Sequence, residues 1–153
     1  RLMPWFEDNV AKEFPRLRQK MITLLQEEAN LNEIVQLVGV DALSFEDRMK
    51  LEASKSIRED YLHQNAFHDI DTYASLNKQY RMMKLILAYY DASIEAIAKG
   101  ASFGKLTELE VREAIGRFKY VEEEKIDDTY DAIIDQMNAE IEELLKKEAE
   151  DDD

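Results

Sequence analysis

The constraint that matters most is a recurrence of four. Phe45, Met49, Ala53, Ile57 and Tyr61 follow one another at helical spacing, so they form one apolar stripe along a helix. Before them, Leu31, Ile34, Val35 and Val38 make an apolar run that stops at Gly39, the type of residue that ends a helix with a positive φ. Ser44 stands three residues before Asp47, which predicts a cap and a helix starting at Phe45. The stripe then runs into Gln64-Asn65-Ala66-Phe67, where amide and aromatic groups leave it together. A rod of about 20 residues, roughly 30 Å by helix rise, therefore separates an acidic turn from an aromatic-amide corner.

The remaining chain reads as helices too. Pro4 with Trp5, Phe6 and Val10 predicts a short amphipathic piece, and Pro15 is expected to open a second helix running to Val38. Its inward side is expected to hold Leu17, Met21, Leu24, Leu25, Leu31, Val35 and Val38. Asn65 to Ala74 reads as loop. Ser75 is expected to cap a long helix with Tyr80, Met83, Leu87, Tyr90, Ile94 and Ile97 inward, broadened by Met82, Ile86 and Tyr89 and stopped by Gly100. Thr107 and Glu110 have capping-box spacing before Leu109, Val111, Ile115 and Phe118. A final helix carries Ile126, Tyr130, Ile133, Met137, Ile141 and Leu144, a seam able to pack along a bundle or to meet another chain. With four Gly, two Pro and no strand pattern in 153 residues, the reading is an all-α bundle of five to six helices in a single domain, residues 1–147, followed by an acidic disordered tail, residues 148–153.

Charge and composition narrow the function classes. The net charge of −14 opposes nucleic acid and anionic membranes as partners. Residues 121–153 hold 15 acidic and 3 basic side chains, whereas 1–120 hold 19 and 17, so the excess belongs to the last helix. No cysteine is present, which removes disulfides and thiolate chemistry and points to a reducing compartment. No apolar run reaches the ~20 residues of a membrane span. A chain that begins with Arg is expected to be a piece of a longer protein.

Three constellations invite a chemical reading. Gly100-Ala-Ser-Phe-Gly-Lys-Leu-Thr107 looks like a phosphate loop but is one residue short between its glycines, and Leu106 stands where a Mg²⁺-binding hydroxyl belongs. His63 and His68, with Glu59, Asp60, Asp69 and Asp71 nearby, match no zinc-helix spacing. Glu59 and Asp60 are adjacent, hence about 100° apart on a helix, and cannot share a proton. The turn from Asp41 to Asp47 places Glu46 and Asp47 where the helix dipole favours them. It also sets an exposed apolar pair, Leu43 and Phe45, at one protruding tip, as a contact with another subunit would need. At the opposite corner Phe67 either plugs the core or offers its ring, beside the Gln64 amide, to a flat heteroaromatic ligand; such stacking is worth about 1–3 kcal/mol.

Several blocks carry a family likeness: Leu24-Leu-Gln-Glu-Glu-Ala29, Glu33-Ile-Val-Gln-Leu-Val-Gly39, Ile57-Arg-Glu-Asp-Tyr-Leu-His-Gln-Asn-Ala-Phe67, Asp71-Thr-Tyr73 and Val111-Arg-Glu-Ala-Ile-Gly-Arg117. With them the chain resembles the C-terminal helical domain of the catalytic A subunit of archaeal and vacuolar-type rotary ATP synthases. The resemblance implies that Gln64, Ala66 and Phe67, with Tyr61 one helical turn behind, belong to an adenine pocket shared with an upstream nucleotide-binding domain. It implies that Asp41, Leu43, Ser44, Phe45, Glu46 and Asp47 form a turn that presses on the central stalk (the rotor), a bulky tip with Ala42 and Phe45 at two positions acidic in related subunits. Neighbouring B subunits are further implied partners. ATP or ADP with Mg²⁺ is the implied cofactor of the parent subunit, whose phosphate loop and catalytic Glu lie upstream. This chain is therefore expected to be inactive alone, with a cytoplasmic parent at the membrane surface. The competing reading is a free-standing acidic helical adaptor that uses its last seam as a partner site and has no nucleotide role.

Overall fold

The computed structural model describes residues 4–62 and 73–151. Among them the chain is all-α: α1 (Pro4–Val38), α2 (Phe45–Ser56), α3 (Tyr73–Ala98), α4 (Phe103–Thr107), α5 (Glu110–Arg117) and α6 (Ile126–Asp151). Short 3-10 turns at Val40–Ala42, Phe118–Tyr120 and Glu123–Lys125 make corners, and a π turn, Ile57–Leu62, prolongs α2.

α3 is the axis of the bundle, in contact with α1, α2, α5 and α6. Its expected stripe is broad because neighbours cover nearly every side: Tyr80, Met82, Met83, Leu85, Ile86, Leu87, Tyr89, Ser93 and Ala96 are all buried. Met49, Ala53, Ile57 and Tyr61 bring the α2 stripe against it, with Met21 and Leu24 from α1. Each such Met, Leu or Ile side chain stabilises the fold by about 1.5–3 kcal/mol when it leaves water. Polar ties fix the register: Ser54 Oγ donates to Leu24 O at 3.2 Å, and the Tyr89 phenol donates to Leu106 O at 2.8 Å. Burial pushes the Tyr89 phenol up to about 12.

Several local expectations change. Pro15 opens nothing; it lies inside one 35-residue helix, so the short first piece and the second helix are continuous. Tertiary packing there outweighs the amide that proline lacks. Val38 is 66% exposed rather than inward, because α1 runs on beyond its neighbours before Gly39 turns the chain. α3 starts at Tyr73, leaving Ser75 inside the helix instead of at its cap, and Tyr73 and Ala74 are helical where loop is expected. Thr107 and Glu110 form no capping box, since the Thr107 hydroxyl donates to Gly104 O at 2.8 Å and closes α4.

Two backbone amides here find their acceptors at the far end of the chain. Glu140 Oε1 accepts Val111 N–H at 3.0 Å at the start of α5, and Glu148 Oε1 accepts Ser102 N–H at 3.1 Å just before α4. The segment expected as a disordered tail from residue 148 is thus helical as far as Asp151. The α6 seam faces inward: Ile126, Ile133, Met137, Ile141 and Leu144 are buried within this chain. That leaves the adaptor reading without its partner surface.

Candidate functional site

The two ends of α2 are built differently. At its start Gly39 takes φ 90°, with nothing within 4 Å of the position a Cβ would occupy, so backbone handedness rather than crowding requires glycine there. Its N–H donates to Val35 O at 2.8 Å, closing α1. One 3-10 turn follows, and Ser44 then caps α2 by accepting Asp47 N–H at 3.2 Å. Asp41 lies 3.6 Å from Arg48, whose Nε–H also donates to Leu43 O at 3.3 Å. The same guanidinium sits 5.0 Å from the Phe45 ring centre, and Phe45 stacks on Phe103 of α4 at 6.1 Å.

The apolar pair expected at this tip is split. Phe45 is 53% exposed, but Leu43 is only 7% exposed. Leu43 and Ser44 are both extended, so their side chains alternate; Leu43 turns in and Ser44 turns out. What the tip shows to solvent besides Phe45 is Leu37, Val38 and Val40, an apolar surface the stripe argument missed. The available signal was excess: Ile34, Val35, Leu37, Val38 and Val40 are too many apolar positions for one helix face. Beside Phe45 a groove of about 460 Å³ is lined by Ile97, Gly100, Ala101, Ser102, Phe103 and Gly104. The phosphate-loop look-alike occupies that stretch and is a helix junction, with Gly100 at φ 103° and Ser102 capping α4.

At the other end α2 widens into the π turn, and one carboxylate dominates it. Asp60, side chain 7% exposed, receives the Ser56 hydroxyl at 3.0 Å and Arg112 Nη1–H at 3.1 Å on Oδ2. Lys119 Nζ donates to Oδ1 at 3.4 Å and to Glu59 O at 3.3 Å. Tyr61 is buried in the core cluster, and Leu62 is 47% exposed where the described chain leaves the turn. Gln64, Ala66 and Phe67 lie outside the described residues, as do His63, His68, Asp69 and Asp71. Among the described residues no group of carboxylates and imidazoles could hold a metal, and no described helix is long and apolar enough to cross a membrane. Sequence reasoning missed Asp60, which the pairing argument dismissed with Glu59. Its signal is position: it follows Ile57 by three residues and precedes Tyr61, on the buried side of the rod.

An all-helical bundle with a capped, protruding turn at one end of a buried rod defines a class, and comparison identifies it. The family model for the C-terminal domain of V and A type ATP synthase matches residues 3–106. The chain belongs to that family. It is 54% identical over 147 residues, 96% of its length, to a V-type ATP synthase alpha chain of Clostridium botulinum (strain Okra / Type B1). Similar relatives are the V-type ATP synthase alpha chains of Acetivibrio thermocellus, 53% identical over 95% of this chain, and of Clostridioides difficile, 52% over 94%. The chain spans about a quarter of the length of these relatives, 25%, 25% and 24% in turn.

Proposed function

We propose that this domain links nucleotide state to rotation in a V/A-type ATP synthase alpha (A) subunit. Gln64, Ala66 and Phe67 complete the adenine side of a site whose phosphate-binding and Mg²⁺-binding groups belong to the upstream domain. The tip, with Phe45, Glu46 and Asp47 on α2 and Asp41 before it, bears on the central stalk. Neighbouring B subunits flank the domain. ATP hydrolysis or synthesis is thereby coupled to proton or sodium transport.

The observation that supports this reading is the rod itself. α2 and the π turn run without a break from Phe45 to Leu62, buried along Met49, Ala53, Ile57 and Tyr61, with an exposed apolar tip at one end. A stiff element with one anchored flank transmits displacement between its ends. In the tip, Phe45, Leu37, Val38 and Val40 supply the contact area, and Leu43 holds the turn down.

Replacing Val40 and Phe45 by Ser in an assembled complex is expected to lower ions moved per ATP while hydrolysis persists. Equal loss of transport and hydrolysis would remove the shaft contact from this reading.

A further inference from the structure

Within the proposed reading of an upstream domain, on which this step rests, we infer that Tyr120 and Leu62 form the surface on which that preceding part of the same polypeptide docks. The helix directions come first. α1 and α3 run parallel: Glu13 accepts the Tyr80 hydroxyl, and further along the pair Leu24 and Leu87 line one cleft. α6 runs the same way, since Asn77 donates to Asp127 at 3.2 Å while Ala96 and Ile141 share a groove. α2 runs against them, with Lys50 paired to Glu27 and Ser54 to Leu24. The first turns of α1, the exit of α2 at Leu62 and the start of α6 therefore share the end opposite the Gly39 turn. This chain matches 25% of its Clostridium botulinum relative and a family model for a C-terminal domain. In a polypeptide built that way, the preceding domain arrives at this end.

The same end carries apolar surface that the bundle does not use. Tyr120 is 73% exposed and Leu62 47%. Scattered exposed apolar groups are ordinary, but this pair is held in place. Buried Phe118 roots the 3-10 turn that bears Tyr120. Lys119 Nζ lies 5.6 Å from the Tyr120 ring centre and donates to Glu59 O, at 3.3 Å, in the π turn that ends at Leu62. Lys119 O in turn accepts from Lys78 of α3 at 3.1 Å, fixing this platform to the bundle axis. A tyrosine preset in this way loses little freedom when covered, as interface anchors require. The size of the surface selects the occupant. Two side chains fall far short of the roughly 800 Å² per partner that separate proteins bury in a stable complex. A domain on the same chain needs less, because a short tether supplies an effective concentration on the order of millimolar.

The test uses the full-length subunit assembled in its catalytic head. This chain has no cysteine, so after replacement of any cysteine upstream a benzophenone maleimide can be placed on Tyr120→Cys alone. Illumination is expected to join it to sequence upstream within the same polypeptide, while the same label on Phe45→Cys reaches none of that sequence. Cross-links from Tyr120→Cys to another subunit, or only to residues 63–72, would overturn the inference, as would no cross-link at all. A second measurement reads the contact energy. Tyr120→Ser is expected to speed proteolytic cutting ahead of α1 about tenfold, the usual size for truncating a covered aromatic anchor, and Tyr120→Phe to leave it nearly unchanged. An unchanged cutting rate in a folded Tyr120→Ser subunit also overturns it. Nucleotide affinity separates this surface from the reading beneath it. Normal affinity in Phe67→Ala removes the adenine contact, yet an upstream cross-link from Tyr120→Cys supports the docking surface in either case.

Discussion

At the start of α2 charge is matched at the surface: Asp41, 98% exposed, stands 3.6 Å from Arg48, itself 21% exposed. At the far end it is matched in the interior, where Asp60 and Arg112 are 7% and 16% exposed at 3.1 Å. The first arrangement is cheap to make and to lose, since exposed ion pairs contribute about 0–1 kcal/mol. The second couples four elements through one carboxylate, and removing one of its two cations leaves that buried charge short of a partner. A turn at the surface tolerates the first kind of chemistry. A buried junction between elements needs the second.

The sharpest way to break this contrast is to delete the same guanidinium at each end. Arg112→Met is expected to cost about 3–5 kcal/mol, the usual penalty for leaving a buried charge short of a partner, and Arg48→Met under about 1 kcal/mol. Urea unfolding of both variants checks it, and similar costs would erase the distinction. Leu43→Ala comes next, at about 2–3 kcal/mol, because this side chain is buried at an otherwise exposed tip. A neutral result would return Leu43 to the surface. Ser44→Ala should cost about 1 kcal/mol through loss of the cap on Asp47 N–H, seen as a lower urea midpoint with an unchanged slope.

How far these features could be read from the chain depended on their range in sequence. The α2 stripe, the stop at Gly39 and the cap at Ser44 are encoded within a few residues, and the fold shows all three. Phe45 alone departs from its stripe: it is 53% exposed, with Phe103 of α4 stacked against it. Pro15 misled for the opposite reason: a local breaker was outvoted by packing along the rest of α1. Thr107 and Glu110 had the right spacing for a cap but competed with carboxylates arriving from α6. Asp60 was invisible as a site because its cations lie 52 and 59 residues away. Leu43 needed backbone angles, not composition, to show which way it turned. In each case the missing information was a distant partner or a torsion, and neither leaves a periodic trace.

The glutamates at 140 and 148 have a consequence for how the molecule comes together. They serve amides 29 and 46 positions earlier, so the middle of the chain lacks two of its hydrogen-bond acceptors until the last helix emerges. Short helices of 5 and 8 residues are too brief to persist alone in water. During synthesis, the stretch from Ser102 to Arg117 therefore waits, half-made, for α6 to complete it.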